Sequence, residues 1–169
     1  MIQIRKGIFE TNSSSMHSLV IKNNDAFAED ENIYYTQEEI NNEIGWNISE
    51  NKKVYNIKNE DLYFGRSPFR ILDTFRDKMH YAFANGFTPE EICPIVNKFI
   101  PEVESFNLPE YMGTDDYLLE CWLEKAEISL EEFLINKKYI VICDGDEYCL
   151  WDTLKESGII DKSIIEKEI

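Results

Sequence analysis

Residues 88–101, with the sequence TPEEICPIVNKFIP, carry the clearest helix signal in the chain. Thr88 and Glu91 have the spacing of a capping box, and Pro89 stands at the first helical position, where its missing N–H leaves no bond unmade. Apolar residues then recur at helical spacing, at Ile92, Ile95, Val96, Phe99 and Ile100. We therefore predict an amphipathic helix that begins after Thr88 and ends at Pro101.

Helix start signals also occur on both sides of this stretch. A Ser or Thr followed by Glu three residues later, or by Pro at once, marks a helix N-terminus. These signals predict further helices at 37–44 after Thr36, from Ser67-Pro68 to about Asn85, and after Ser129. Apolar spacing predicts one more at Asp115–Lys125.

Strand signals lie toward the two ends of the chain. Alternating or continuous apolar runs predict strands at Ile2–Phe9, His17–Ile21, Ile33–Tyr35, Lys53–Lys58 and Tyr139–Cys143. Asp144-Gly145 is a tight-turn signal, so Glu147–Trp151 is expected to return as a hairpin partner. Strands, then helices, then a hairpin predict an α+β fold, in which a small antiparallel sheet packs with about five helices in a single domain over residues 1–169.

Charge excludes several functions. The 169 residues carry 17 basic and 33 acidic side chains, a net charge of −16. This balance opposes direct binding to nucleic acid or to anionic membranes and favours basic partners. No apolar run approaches the roughly 20 residues of a membrane span, and the N-terminus does not resemble a signal peptide. We therefore expect a cytosolic protein.

The four cysteines and two histidines do not form a metal-binding pattern. The cysteines Cys93, Cys121, Cys143 and Cys149 contain no Cys-x-x-Cys pair. We expect four reduced thiols, no structural metal and no cofactor. His80 lies on the border of the apolar stripe of the predicted Ser67–Asn85 helix, which predicts a core-edge histidine bonded to backbone.

A serine-rich loop is the first candidate for chemistry. Glu10, Thr11, Asn12, Ser13, Ser14, Ser15 and His17 fall within eight residues. Hydroxyls and free N–H groups in such a loop, Thr11 to Ser15, are able to hold an anion. His17 as base and Glu10 as orienting group would suit a nucleophilic serine, but the strand–turn–helix context and flanking glycines of a nucleophile elbow are absent. A loop that caps its own backbone is the alternative.

The same segment resembles the opening of a known group of proteins. Residues 5–18, RKGIFETNSSSMHS, are similar to the start of short phage and mobile-element proteins of low-GC Gram-positive bacteria. The resemblance covers about fourteen residues. It implies no reaction but an accessory role in a phage–host setting, where small acidic proteins often inhibit bacterial defence systems, as anti-CRISPR proteins do.

An acidic stripe is the second candidate. Residues 101–134 hold one lysine and ten acidic side chains, over half of the net charge. Asp116, Glu120, Glu124 and Glu127 recur at i, i+4, i+8 and i+11, which predicts one helix face. Such a stripe suits a basic nucleic-acid channel of another protein, with Tyr111 and Tyr117 beside it, and Tyr34 and Tyr35 elsewhere, as interface anchors. A solvated helix face is the alternative.

These observations favour a binding protein over an enzyme. We expect a phage-derived inhibitor in the host bacterial cytosol that blocks a basic, nucleic-acid-binding defence factor, for example a Cas effector nuclease. The alternatives are a small enzyme or phosphate-binding protein that uses the Glu10–Ser18 loop, and a phage structural or assembly protein. The sequence leaves the identity of the partner and the oligomeric state open.

Overall fold

The computed structural model describes residues 4–5, 16–22, 24–48, 53–64, 70–110, 118–144 and 156. In these residues the strands are β1 (Ile4–Arg5), β2 (Met16–Ile21), β3 (Val54–Asn56), β4 (Arg70–Leu72), β5 (Ser105–Asn107) and β6 (Tyr139–Asp144). The α-helices are α1 (Gln37–Ile44), α2 (Phe75–Ala84), α3 (Pro89–Val96), α4 (Leu118–Ala126) and α5 (Leu130–Ile135). Short 3-10 helices occur at Asn24–Ala26, Gly45–Asn47 and Asn59–Leu62.

The main sheet is antiparallel, with the strand order β1-β2-β6-β4. β6 lies between β2 and β4: its residues Tyr139–Cys143 form a continuous apolar run, of which Val141–Cys143 pair on both sides. A separate pair, β3 and β5, is parallel, with Tyr55 opposite Phe106. Helices and a small antiparallel sheet together confirm the predicted α+β class.

The predicted hairpin would place Glu147–Trp151 beside β6. Glu147–Trp151 lies outside the described residues. From Val141 to Cys143, however, β6 is already paired with β2 on one edge and with β4 on the other. These three residues therefore have no free edge for a following strand.

Local capping signals predicted the helix starts well. Thr36 and Glu39 form the capping box of α1, Thr88 and Glu91 that of α3, and the Ser129 hydroxyl accepts from the Glu132 N–H at the start of α5. α3 ends at Val96 rather than at Pro101, and 97–100 continue as hydrogen-bonded turns. Its apolar face is nevertheless buried as predicted, at Ile92, Ile95, Val96 and Ile100.

The prediction of a helix from Ser67 is wrong over 70–74. Arg70–Leu72 forms β4, paired antiparallel with β6, and Thr74 is the N-cap of a helix that begins at Phe75. The Thr74 hydroxyl accepts from the Asp77 N–H at 3.0 Å. Pairing with a central strand distant in sequence overrides the local Ser-Pro signal, and Ser67 and Pro68 themselves lie outside the described residues.

A buried lysine joins α2 to α5 and β6. Lys78 is 0% exposed, and its Nζ donates to the carbonyls of Phe133 at 2.8 Å, Asn136 at 3.0 Å and Tyr139 at 3.2 Å. The rings of Tyr35 and Phe133 flank the same nitrogen. Burial lowers the pKa of Lys78 well below its usual value, but three carbonyl acceptors match the three donors of an ammonium group. Lys78 therefore caps the C-terminal end of α5.

Candidate functional site

Three polar or ionisable side chains lie in a row across neighbouring strands near one end of the main sheet. Cys143 of β6 lies directly opposite His17 of β2 and opposite Arg70 of β4. Residues directly opposite each other in antiparallel strands project to the same face. The register therefore places the imidazole, the thiol and the guanidinium side by side on one face, and we call these three residues the sheet-end row.

The imidazole of His17 is held by two groups from outside the sheet. Its Nε2 lies 2.9 Å from the Phe64 carbonyl oxygen, and its Nδ1 lies 3.1 Å from the Tyr81 hydroxyl oxygen. Since a carbonyl only accepts, Nε2 carries the hydrogen, and in the neutral ring Nδ1 accepts from Tyr81. Tyr81 is buried in α2 and stacks on Trp122 of α4. These contacts orient the ring and fix its tautomer.

The thiol of the row is not activated. Burial raises the pKa of Cys143 to about 12, although Arg70 acts in the opposite direction. Burial likewise raises the pKa of Tyr81 well above its usual value. Both groups are therefore protonated at neutral pH, and a protonated thiol is a poor nucleophile. Cys93 and Cys121 are also free thiols, and Cys149 lies outside the described residues.

The serine-rich segment directly precedes β2 in the sequence. Glu10, Thr11, Asn12, Ser13, Ser14 and Ser15 all lie outside the described residues, and β2 begins directly after them at Met16. Of the residues named for catalysis, only His17 is placed. Sequence reasoning missed Tyr81, Arg70 and Cys143 as its neighbours, because they come from 53 to 126 residues further along the chain. Only strand register and the packing of α2 bring them together.

A second buried polar chain crosses the core. Asn47 Nδ2 donates to the Tyr55 hydroxyl at 3.1 Å, and this hydroxyl is hydrogen-bonded to His80 Nε2 at 3.0 Å. Burial lowers the pKa of His80 to about 4 and raises that of Tyr55 to about 12. His80 is thus a neutral core histidine, bonded to a side chain rather than to backbone as predicted.

The acidic stripe is partly placed. Glu120 and Glu124 lie on the exposed side of α4, one helical turn apart. Asp116 lies outside the described residues. Glu127 is exposed but follows the last helical residue, with φ 55°, where the N–H groups of Glu127 and Ile128 bond back to the helix end. This is a Schellman-type end, so of the three described carboxylates Glu120 and Glu124 lie on the helix face, and Glu127 belongs to the turn that ends the helix.

The aromatic anchors divide into exposed and buried residues. Tyr111 and Tyr117 lie outside the described residues. Tyr34 is exposed, but the expectation of a surface Tyr35 is wrong: this side chain is 7% exposed, and its hydroxyl donates to the Asp73 carbonyl. Trp46, at 67% exposed, was missed; the Arg76 guanidinium lies 5.2 Å from its ring centroid and 3.6 Å from Asp61.

The described part of the chain contains no cluster of three or more histidine, cysteine, aspartate or glutamate side chains placed to hold a metal ion. None of its helices combines the length and the apolar content needed to span a bilayer.

Comparison of the chain with protein-family models, with curated proteins and with solved structures gave no match.

Proposed function

We propose that this protein is a non-enzymatic, acidic binding protein that occupies a basic, nucleic-acid-binding surface of another protein. The observation that carries the proposal is the state of the carboxylates of Glu120, Glu124 and Glu127. All three are exposed, and no described lysine or arginine nitrogen lies within 4.0 Å of them. Their charge is therefore available to a partner.

Three acidic residues elsewhere contrast with Glu120, Glu124 and Glu127. Glu131 is bonded to Lys98 at 2.6 Å, Glu39 to Lys137 at 2.7 Å, and Glu104 to Lys53 at 2.9 Å. In these pairs the chain neutralises its own carboxylates. α4 has one lysine, Lys125, so its surface stays negative. Like charges left unpaired on α4 and at its C-terminal end raise the rate of association with a surface of opposite charge.

The finer proposal concerns the biological setting. The similarity of residues 5–18 to phage and mobile-element proteins supports a phage-derived inhibitor that acts in the host bacterial cytosol. A Cas effector nuclease is the concrete partner, because its nucleic-acid channel is strongly positive. In this mechanism the carboxylates of α4 compete with nucleic-acid phosphates for the same lysines and arginines.

A second candidate function is a small enzyme or phosphate-binding protein. It is favoured by the position of His17 and Arg70 at the sheet end where the serine-rich loop enters β2. The bonds of both His17 nitrogens to Phe64 and Tyr81, and the protonated Cys143, support the non-enzymatic proposal instead.

The experiment measures inhibition of a purified Cas effector nuclease. DNA cleavage is assayed with increasing amounts of the parent chain and of a variant with Glu120, Glu124 and Glu127 changed to Gln. We expect the parent to inhibit and the variant to need at least tenfold more protein, with the difference shrinking as salt rises from 50 to 500 mM, because salt screens exposed charges.

A matched control removes the same amount of charge elsewhere. Glu29, Asp30 and Glu90 are also exposed, and their change to Gln or Asn neutralises three carboxylates outside α4. The control variant should inhibit like the parent. Equal inhibition by the parent and by the variant with Glu120, Glu124 and Glu127 changed to Gln would refute the role of these three carboxylates. Absence of inhibition across a panel of basic nucleases would refute the proposed function.

A further inference from the structure

A surface groove of about 520 Å³ lies between α1 and the turn that follows α3. One wall is the exposed side of α1, with Gln37, Glu38 and Asn41. The opposite wall is formed by Phe99, Ile100 and Glu102. Its volume falls in the range of about 300 to 1,000 Å³ that is typical of small-molecule sites.

The lining combines apolar and anionic groups. The half-buried Phe99 provides most of the apolar surface, since Ile100 is only 5% exposed, and the ring of Phe99 is held edge-on by Phe75 of α2. Each wall also contributes one carboxylate, Glu38 or Glu102, and α1 adds the amides of Gln37 and Asn41. All charge in the lining is negative, so the groove suits a ligand with an alkyl stem and a cationic head.

These two carboxylates are not neutralised within the described part of the chain. Neither Glu38 nor Glu102 has a described lysine or arginine nitrogen within 4.0 Å. The bond of Lys53 Nζ to Glu104 at 2.9 Å is the main cause that raises the pKa of Lys53, and Glu102 contributes the smallest part. The groove therefore faces solvent with both negative charges available.

We propose that this groove binds an alkylammonium or alkylguanidinium group, with the stem on Phe99 and the cationic head between Glu38 and Glu102. A free polyamine and the lysine or arginine side chain of a protein share this chemistry. The site belongs to α1 and the turn after α3 and is independent of the proposed function of α4.

The experiment is a titration of the full-length protein, followed through backbone amide NMR shifts. The probes are spermidine, agmatine and the peptide acetyl-Gly-Arg-Gly-amide, with pentylurea as an uncharged analogue of agmatine. We expect shifts concentrated at Glu38, Asn41, Ile100 and Glu102, and binding of pentylurea at least tenfold weaker than that of agmatine. Because spermidine carries more positive charge than the peptide, the two are compared by what they lose when Glu38 and Glu102 are changed to Gln: a larger loss for spermidine identifies a free polyamine as the ligand, and a larger loss for the peptide identifies a side chain.

Variants separate a built site from general attraction to an acidic protein. Changing Glu38 and Glu102 to Gln should weaken agmatine binding at least tenfold, while the control Glu29→Gln with Asp30→Asn should change it less than twofold. Phe99→Leu, checked for an unchanged melting temperature, tests the apolar wall and should weaken binding three- to tenfold. Shifts spread over the whole surface, or equal losses in the two charge variants, would overturn the proposal.

Discussion

Replacing Lys78 with Met tests whether the buried ammonium holds the C-terminal end of α5 in place. Met has a similar length and no N–H donors, so the three carbonyls lose their shared partner. The Phe133 carbonyl is affected most. Its usual helical partner, the Lys137 N–H, donates to the Ile33 carbonyl instead, so Lys78 is its replacement partner. Asn136 O keeps a bond from Tyr139 N–H at 3.2 Å.

The magnitude follows from opposing contributions. A buried carbonyl without a partner costs about 1–3 kcal/mol, and hydrogen bonds to a charged group contribute about 1.5–3 kcal/mol each. Removal of a fully buried charge offsets part of this loss. We expect Lys78→Met to lower the free energy of unfolding by about 2–4 kcal/mol and the melting temperature by roughly 5–15 °C.

The assay is equilibrium unfolding in urea together with thermal unfolding followed by circular dichroism. Lys125→Met is the matched control, since Lys125 is exposed on α4 and its replacement should cost less than roughly 0.5 kcal/mol. Hydrogen exchange of the last amides of α5 should accelerate in the Lys78 variant alone. If Lys78→Met were as stable as the parent, the desolvation cost of the ammonium would equal its hydrogen bonds, and the capping role would be refuted.

Three further predictions concern His80, Glu127 and the serine-rich segment with His17. The pKa of His80 is about 6.5 in the unfolded chain and about 4 in the folded protein, so protonation favours unfolding. The contribution of neutral His80 to stability is therefore complete above pH 6.5 and falls by about 3 kcal/mol toward pH 4. In urea unfolding measured from pH 4 to 7, His80→Gln should flatten this slope, and an unchanged slope would contradict the prediction. Glu127→Gly should raise the free energy of unfolding by about 0.5–1 kcal/mol, because glycine adopts φ 55° without strain; a lower melting temperature would refute this reasoning. A fluorophosphonate probe should label no serine in the parent chain or in the variants in which Ser13, Ser14 or Ser15 is changed to Ala. His17→Ala should cost about 1–3 kcal/mol of stability through its lost hydrogen bonds. A labelled serine that depends on His17 would show that the protein is an enzyme.

The acidic helix shows the limit of a pattern read along the chain. Spacing alone predicted that Asp116, Glu120, Glu124 and Glu127 share one helix face. In the structure α4 ends at Ala126, and Glu127 follows it in the left-handed conformation rather than as a helical residue. The exposure of Glu120 and Glu124 was predictable, because the apolar residues Leu119, Trp122 and Leu123 had to face the core.

The sequence by itself determined the elements whose signals act within a few residues. The hydroxyls of Thr36 and Ser129 bond to N–H groups three residues away, and the Glu91 carboxylate bonds back to the Thr88 N–H. The apolar run of β6 is continuous, and β2 contains a shorter one at Leu19–Ile21, so both kinds of element could be located without knowledge of the fold. Long-range pairing decided the rest. β4 is a strand only because β6 offers it an edge, and Cys143 lies beside His17 only because of strand register. Lys78 is buried only because the end of α5 presents carbonyls to it, and such partners, 55 or more residues apart, leave no periodic trace along the chain.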